Sequence, residues 1–430
     1  MENKKKNTNK ITEEECFIDR IPDKIYQEMI TFFTEEYHFK NGLENGGQMR
    51  IANYYVGISR SLSNSFVDFI KKATQEISED TFPDICVLDG FDSVLENLLP
   101  VEQGGGFSLG SFDMAVSENG LQNIEFQAVA TYPFSAAKLN QILLDRMSFM
   151  NASIFADSPF TSWEDFIKVY NELITGTGTA GAAIVDLNIK NQKTNFEFYA
   201  TQKELKESVA MVDALSIFEK DGELFYPDSD TNTSLIRLTR FYNRILISEA
   251  LFEENYPEKT DVWRFRFDRK YNSLKFVNHP ARQFQVSKRL SPYIKHPFNP
   301  TCYELSAVEN QFRGGMLKYE DYIWKHKWGA AGHRIILSPT LEELDSLSGN
   351  LQDYIAQEKV DFKIFKTDDG LQKIVELRFM TAQYKDDMVI VPMARIGHVS
   401  RDQNDEITYK IHFGDNNKEG YGFSPVVIFD

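Results

Sequence analysis

Phe112-Asp-Met-Ala-Val-Ser-Glu-Asn-Gly-Leu-Gln-Asn-Ile-Glu-Phe-Gln-Ala-Val-Ala-Thr-Tyr132 is the stretch whose reading decides the rest. Two alternating runs flank Glu118-Asn119-Gly120, the pattern of a β-hairpin. A three-residue loop with Gly120 in the left-handed conformation closes such a hairpin. It sets Phe112 opposite Phe126, Met114 opposite Ile124, Asp113 opposite Glu125 and Ser111 opposite Gln127. A two-residue loop that puts Asp113 against Phe126 mixes the faces and is rejected. The chosen register gives one apolar face and one face on which two carboxylates oppose each other, which destabilises a sheet. A divalent cation between them removes the repulsion, and Mg²⁺ takes such oxygen ligands. A solvated polar face is the other reading of the pair. On the cation reading, Glu125→Gln lowers activity by orders of magnitude, since the metal loses a charged ligand, yet raises stability slightly when metal is absent.

The chain has 430 residues, enough for a large core and two or three lobes. Its net charge of −17 disfavours nucleic acid or an anionic membrane as partner. The three cysteines, Cys16, Cys86 and Cys302, are far apart and lack metal spacing, which fits a reducing, cytoplasmic compartment. No apolar run approaches membrane-spanning length, and the lysine-rich N-terminus is followed by no apolar segment of a signal peptide.

Periodicity predicts helices over residues 21–39, 63–77, 135–150 and 163–174. Gly104-Gly105-Gly106 reads as a flexible entry turn to the hairpin, since no lysine and no strand-to-helix context accompany it. A Thr/Gly-rich shift at 175–181 suggests a boundary. Beyond it, strands are predicted at 182–187 and 195–199, a short helix at 202–208, and a hairpin around Asp221-Gly222. This alternation suggests a small inserted α/β domain. Arg237, Arg240 and Arg244, three and four residues apart, read as one helix face, either solvated or lining a substrate lobe. His279 reads as a turn residue; His333 and His398 stand alone, without metal spacing.

A second chemical stretch, residues 321–337, reads as strand, small-residue loop, strand. Lys325 closes the first strand at an exposed loop edge, and Gly329-Ala330-Ala331-Gly332 is slim enough for backbone N–H groups to approach phosphates, or is simply a tight turn. Upstream, Lys288 enters a helical stretch. Downstream, Gln357-Glu358-Lys359-Val360 begins a strand with a polar hinge.

That order of islands resembles the ATP-grasp superfamily, in which two lysines hold nucleotide phosphates and a Gln-Glu-x-Val hinge takes adenine and ribose. The acidic hairpin precedes both lysines, and this permuted order is similar to eukaryotic-type glutathione synthetase and the synthetase part of glutathionylspermidine synthase. Their acidic motif, Arg-x-Asp, a Gly turn, then Glu-x-Asn, is matched here by Ser111-Phe-Asp113, Asn119-Gly120 and Glu125-Phe-Gln127. Val375-Glu-Leu-Arg-Phe379 and Pro392-Met-Ala-Arg-Ile-Gly397 also look similar. Three departures stand out: Ser111 replaces an arginine, Gln127 an asparagine, and His326 the proline after the loop lysine. Neither the extra length nor a Cys/His nucleophile pair of an amidase domain is seen.

The resemblance implies an α/β (α+β) chain with an ATP-grasp fold in permuted order and a small inserted α/β substrate domain. Its expected parts are a mobile tail (1–15), an N-terminal ATP-grasp part with the metal-binding hairpin (16–180), the substrate domain (181–275), and the ATP-binding lobe with C-terminal strands (276–430). ATP is expected on Lys288, Lys325, Gly329, Ala330, Ala331, Gly332, Gln357, Glu358 and Val360. Mg²⁺ is expected on Asp113, Glu125 and Gln127. Arg378 and Arg395 are expected to grip a carboxylate or acylphosphate. The implied activity is ADP-forming ligation of a small-molecule carboxylate and an amine through an acylphosphate. The alternatives are a small-molecule kinase, a nucleotide-binding protein without catalysis, and an unrelated α/β protein.

Overall fold

The computed structural model describes residues 11–40, 50–78, 109–129, 131–156, 160–176, 181–206, 208–228, 234–246, 264–267, 269–280, 283, 286–329, 334–401, 407–411 and 421–430. Gly104-Gly105-Gly106, Cys86, residues 177–180, Ala330, Ala331, Gly332 and His333 lie outside them. Among the described residues no helix is long and apolar enough to cross a membrane.

The architecture is mixed α/β with several sheets. The largest is antiparallel and seven-stranded, with strands in the spatial order Ile407–Lys410, Asp387–Arg401, Gln372–Tyr384, Leu109–Ser117 and Gly120–Gln127. Phe365–Lys366 and Gly422–Ser424 pair with its two long members. Both faces are covered. Val375, Leu377 and Phe379 join Phe112, Met114 and Phe126 against Phe66, Phe69 and Ile70 of helix Arg60–Ser78. The rings of Phe66 and Phe379 are 3.8 Å apart at their centroids, and Phe69 packs on both Phe112 and Phe126. On the opposite face Met380, Ala382, Val391 and Met393 meet Leu139 and Leu143 of helix Pro133–Arg146. Alternate residues of a strand point to opposite faces. Glu376 and Arg378 therefore share the second face with Met380, and that face turns polar at one end.

The hairpin keeps the predicted pairs Phe112–Phe126, Asp113–Glu125 and Ser111–Gln127. Nearer the turn the register differs. Met114 opposes Asn123, not Ile124, and Ser117 pairs with Gly120, leaving Glu118 and Asn119 as the loop. Gly120 has φ 116°, a region closed to side chains. A β-bulge at Ile124 supplies the residue that the shorter loop lacks, so the charged end returns to the expected register.

Residues 182–277 contain a parallel sheet ordered Lys275–Val277, Arg240–Asn243, Ala182–Asp186, Ala210–Asp213. An antiparallel meander of Phe218–Lys220, Glu223–Pro227 and Leu235–Leu238 accompanies it, turning at Asp221 and Gly222 with positive φ at both. The predicted strand at 195–199 is instead part of helix Asn195–Glu204. Phe196 and Phe198 gave the alternation of a strand, but Glu197 between them is buried too, because its carboxylate accepts from the N–H groups of Phe134 and Ser135, each at 3.0 Å. It thereby caps helix Pro133–Arg146, whose own N-cap residue, Tyr132, makes no side-chain cap. The predicted arginine helix face is also absent: Arg237 and Arg240 lie on strands and Arg244 just beyond one. The tail reading does not reach Ile11, which is buried with its carbonyl accepting from Lys363 Nζ at 2.5 Å.

A four-stranded antiparallel sheet, Cys302–Glu304, Tyr354–Glu358, Tyr322–His326 and Ile335–Ile336, forms a lobe with its own core. Trp324 and Ala356 pack there against helix Leu305–Arg313. Lys325 and Gln357 project from the other face, towards the hairpin. The hinge segment ends the strand Tyr354–Glu358 where its sequence suggested a beginning, and by Phe365 the chain has entered the seven-stranded sheet.

One side chain ties the parallel sheet to the hairpin. Asn278 follows Val277 at φ 56°, a conformation asparagine tolerates. Its Nδ2 donates to the carbonyls of Leu109 and Ala128, both at 2.6 Å, and its Oδ1 accepts from the Leu109 N–H at 3.1 Å. It is buried, and it spans both ends of the hairpin. Asn278→Ala orphans three backbone groups, so it should cost on the order of 3 kcal/mol or more in urea unfolding. A loss below about 1 kcal/mol would remove this clamp from the account.

Candidate functional site

The polar end of the seven-stranded sheet is a cross-strand row. Glu125, Asp113 and Arg378 lie opposite one another on three adjacent strands, and Glu376 opposes Arg395 one row along. Arg378 grips Asp113 in two places, Nε to Oδ1 at 3.0 Å and Nη2 to Oδ2 at 2.8 Å. Ser111 Oγ donates to Oδ1 at 2.7 Å, and Gln127 Nε2 to Oδ2 at 3.1 Å. Burial alone would raise the Asp113 carboxyl, but the Arg378 guanidinium, with Arg395 and Ser111, holds it below its usual value. Glu376 goes the other way: burial and the Asp113 charge raise it against the pull of Arg395, 3.4 Å away.

Lys288 and Lys325 reach this row from two other elements. Lys288 opens the turn Lys288–Leu290, which is seated by buried Val286 and Leu290. Its Nζ lies between Glu125 Oε1 and the carbonyl of Gly329. Lys325 projects from the middle of the lobe sheet. It is buried, not set at an exposed loop edge, and its Nζ donates to Gln357 Oε1 at 2.6 Å and to the Ile124 carbonyl at 3.0 Å. Burial, together with the Lys288 charge, brings Lys325 down to about 8, with Glu125 opposing. The bulge explains this convergence. It turns residues 123–125 towards the lobe, where the carbonyl of Asn123 accepts from Gln357 Nε2 at 3.3 Å and its N–H donates to Phe298 at 2.6 Å.

Of the other expected residues, Glu358 is exposed, Val360 is half-buried, and Gly329 is the part of its loop that lies within the described residues. Three features of the neighbourhood were not anticipated: Glu376, the bulge carbonyl at Ile124, and the burial of Asp186 near Arg244, which the sequence offered only as part of a helix face. Asp186 and Arg244 sit at the carboxyl ends of Ala182–Asp186 and Arg240–Asn243, where the parallel sheet's strand order reverses, a usual place for a ligand crevice. Among the described residues the Arg244 guanidinium donates at 3.4 Å to Thr131 Oγ1 and at 3.4 Å to Tyr242 OH, lies over the Phe198 ring, and leaves its Nε without a hydrogen bond. Burial pushes Asp186 up to about 7 against the Leu187 N–H and the Arg244 charge. Tyr132 lies between this end of the parallel sheet and the charged row, with Arg378 over its ring and the Arg244 charge within reach.

The arrangement suits a polyanion better than a bare metal ion. Four cations (Lys288, Lys325, Arg378, Arg395) meet three carboxylates (Asp113, Glu125, Glu376) in a chain of net charge −17. The two lysines fit phosphate oxygens, while the Gly329 carbonyl serves as an acceptor for Lys288. By contrast, all four acceptor positions of Asp113 are used, Glu125 is held by Lys288, and Gln127 turns its NH₂ towards Asp113. As arranged, these residues do not form a Mg²⁺ cage, and among the described residues no group of three His, Cys, Asp or Glu side chains does. The expected relief of repulsion in Glu125→Gln does not apply either, because Glu125 faces a lysine.

No family model and no curated protein matches the chain. Its fold is similar to that of a glutathione synthetase-like effector from Globodera pallida, solved in its apo form. The two share 9% identity with a TM-score of 0.51, over 91% of this chain and 96% of that one.

Removing one member of a buried pair leaves the other charge uncompensated. Arg378→Met should therefore lower unfolding stability by about 3–5 kcal/mol, and adding Asp113→Leu should recover a large part of that loss. Strictly additive losses in the double variant would show that the two side chains do not act as a pair.

Proposed function

We propose that the chain is an ATP-grasp-type, ADP-forming carboxylate–amine ligase with the hairpin-first motif order of glutathione synthetase-like enzymes. The observation that carries this reading is the meeting of Lys288 and Lys325, from separate elements, at one acidic hairpin between two sheets. The likeness of fold to a glutathione synthetase-like protein supports it. ATP enters as its Mg²⁺ complex, with phosphates against both lysines and the loop that begins at Gly329, and with the base towards Gln357, Glu358 and Val360. Arg244 and Asp186 provide a cationic and an anionic anchor point, respectively, for a substrate at the switch point. An oxygen of the acid attacks the γ-phosphorus, the bond to the bridging oxygen breaks, and ADP leaves. The amine nitrogen then attacks the acyl carbon, the C–O bond breaks, and phosphate leaves while the nitrogen loses a proton. Arg395, which lies beside Glu376, meets charge on the acylphosphate in this reading.

A second reading, a nucleotide-binding protein without catalysis, is favoured by the complete hydrogen bonding of Asp113. The full chain incubated with MgATP and pools of acids and amines separates the readings. ADP release that requires both an acid and an amine supports the ligase. ATP binding without ADP release supports the second reading, and a stable phosphate ester, seen by product mass, indicates a kinase. Lys325→Met should lower turnover by about 100-fold or more with the fold retained by circular dichroism; near wild-type turnover would contradict the assignment. Since Lys325 in the free protein loses its proton near pH 8, ATP affinity should weaken as pH rises through about 8, and this step should be missing in Lys325→Arg. An affinity flat from pH 7 to 9 would place the phosphates away from Lys325.

A further inference from the structure

We propose that Glu125 is an internal competitor for the anion site: it holds Lys288 as a phosphate oxygen would, and an incoming polyphosphate displaces it without a divalent ion seated on the hairpin. This inference rests on the nucleotide reading above and adds to it a statement about what the acidic hairpin is for. Opposed carboxylates on one sheet face require positive charge between or beside them. Here both have it from the protein. Asp113 is neutralised by Arg378 and has no lone pair to offer, because Ser111 and Gln127 take the rest. Glu125 is neutralised by Lys288, which is buried, and which has the Gly329 carbonyl as its other acceptor. The hairpin therefore reads as a counter-ion for the two lysines.

The device also bridges two bodies of structure. Lys325–Ile124 and Gln357–Asn123 run from the lobe to residues 123–124 of the bulged strand, and Lys288–Glu125 joins them from a turn packed on the central sheet. A polyphosphate with several charges replaces one carboxylate at Lys288 and the Ile124 carbonyl at Lys325, exchanging weaker acceptors for stronger ones. Glu125 then swings clear towards solvent, to which it is already partly exposed.

Calorimetric titration of inorganic tripolyphosphate and ADP into the full chain tests this, in EDTA and in Mg²⁺, for wild type, Glu125→Gln and Glu125→Asp. The expected result is wild-type binding in EDTA, tightened about tenfold by Glu125→Gln with Mg²⁺ absent or present. Glu125→Asp keeps the charge but is one methylene short of Lys288, so it should move in the same direction. This last variant separates loss of the clamp from simple removal of charge. Tighter binding by wild type than by Glu125→Gln in Mg²⁺ would make Glu125 a metal ligand and overturn the proposal. So would wild-type affinity in Glu125→Asp. Failure of all three proteins to bind either probe would remove the nucleotide reading itself, a different outcome from an unchanged affinity in the variants. Thermal unfolding of each variant, recorded beside the titration, confirms that the binding partner is folded.

Discussion

Two carboxylates directly across from each other on neighbouring strands cannot both stay ionised in a buried place without cations at hand. Most of what is distinctive in this fold answers that constraint. Arg378 comes from the next strand of the same sheet, in register with Asp113. Lys288 comes from a separate turn and Lys325 from another sheet. The bulge at Ile124 bends the return strand so that its carbonyls and Glu125 meet those lysines. Without the cations the hairpin would repel itself; without the hairpin two buried lysines would lie side by side with the Gln357 amide and backbone carbonyls as their acceptors.

The lobe that carries Lys325 has a core of its own, centred on Trp324, Phe312 and Leu344. Its meeting with the bulged strand is made of hydrogen bonds, from Lys325 to the Ile124 carbonyl and from Gln357 to that of Asn123. Polar junctions of this kind permit relative motion more readily than apolar ones. The parallel sheet differs: Ile184, Tyr242 and Val277 share a core with helices Pro133–Arg146 and Trp163–Ile174, and Asn278 pins its edge to the hairpin. Asp186 and Arg244 are thus fixed to the central body, and so is the Lys288 turn, whose Val286 and Leu290 join the core of the seven-stranded sheet, while Lys325 and Gln357 meet the hairpin through exchangeable contacts.

How much of this could be read from the sequence follows from the range of each cause. Helix Trp163–Ile174 was legible because its signals are local: Ser162 caps the Asp165 N–H, and Glu164 and Asp165 stand in the first turn. The pairing of Asp113 with Glu125 was legible because alternation fixes the faces. The bulge was not, since one unpaired residue on the return strand looks the same as one more residue in the loop. Helix Asn195–Glu204 was missed because Glu197 is buried for a reason more than sixty residues away in sequence, at the start of another helix. Arg378 appeared as a substrate-gripping residue, yet its grip on Asp113 depends on strand order, which periodicity does not report. Arg244 carried a spacing that mimics a helix although strands hold its neighbours.

A crystal structure of the full chain with a non-hydrolysable ATP analogue, grown without divalent metal, bears most directly on the central claim. Phosphate oxygens are expected within hydrogen-bond distance of both Lys288 and Lys325, with Glu125 turned away from Lys288 and Asp113 still held by Arg378. An analogue bound elsewhere, or bound here with the Lys288–Glu125 pair intact, would contradict it.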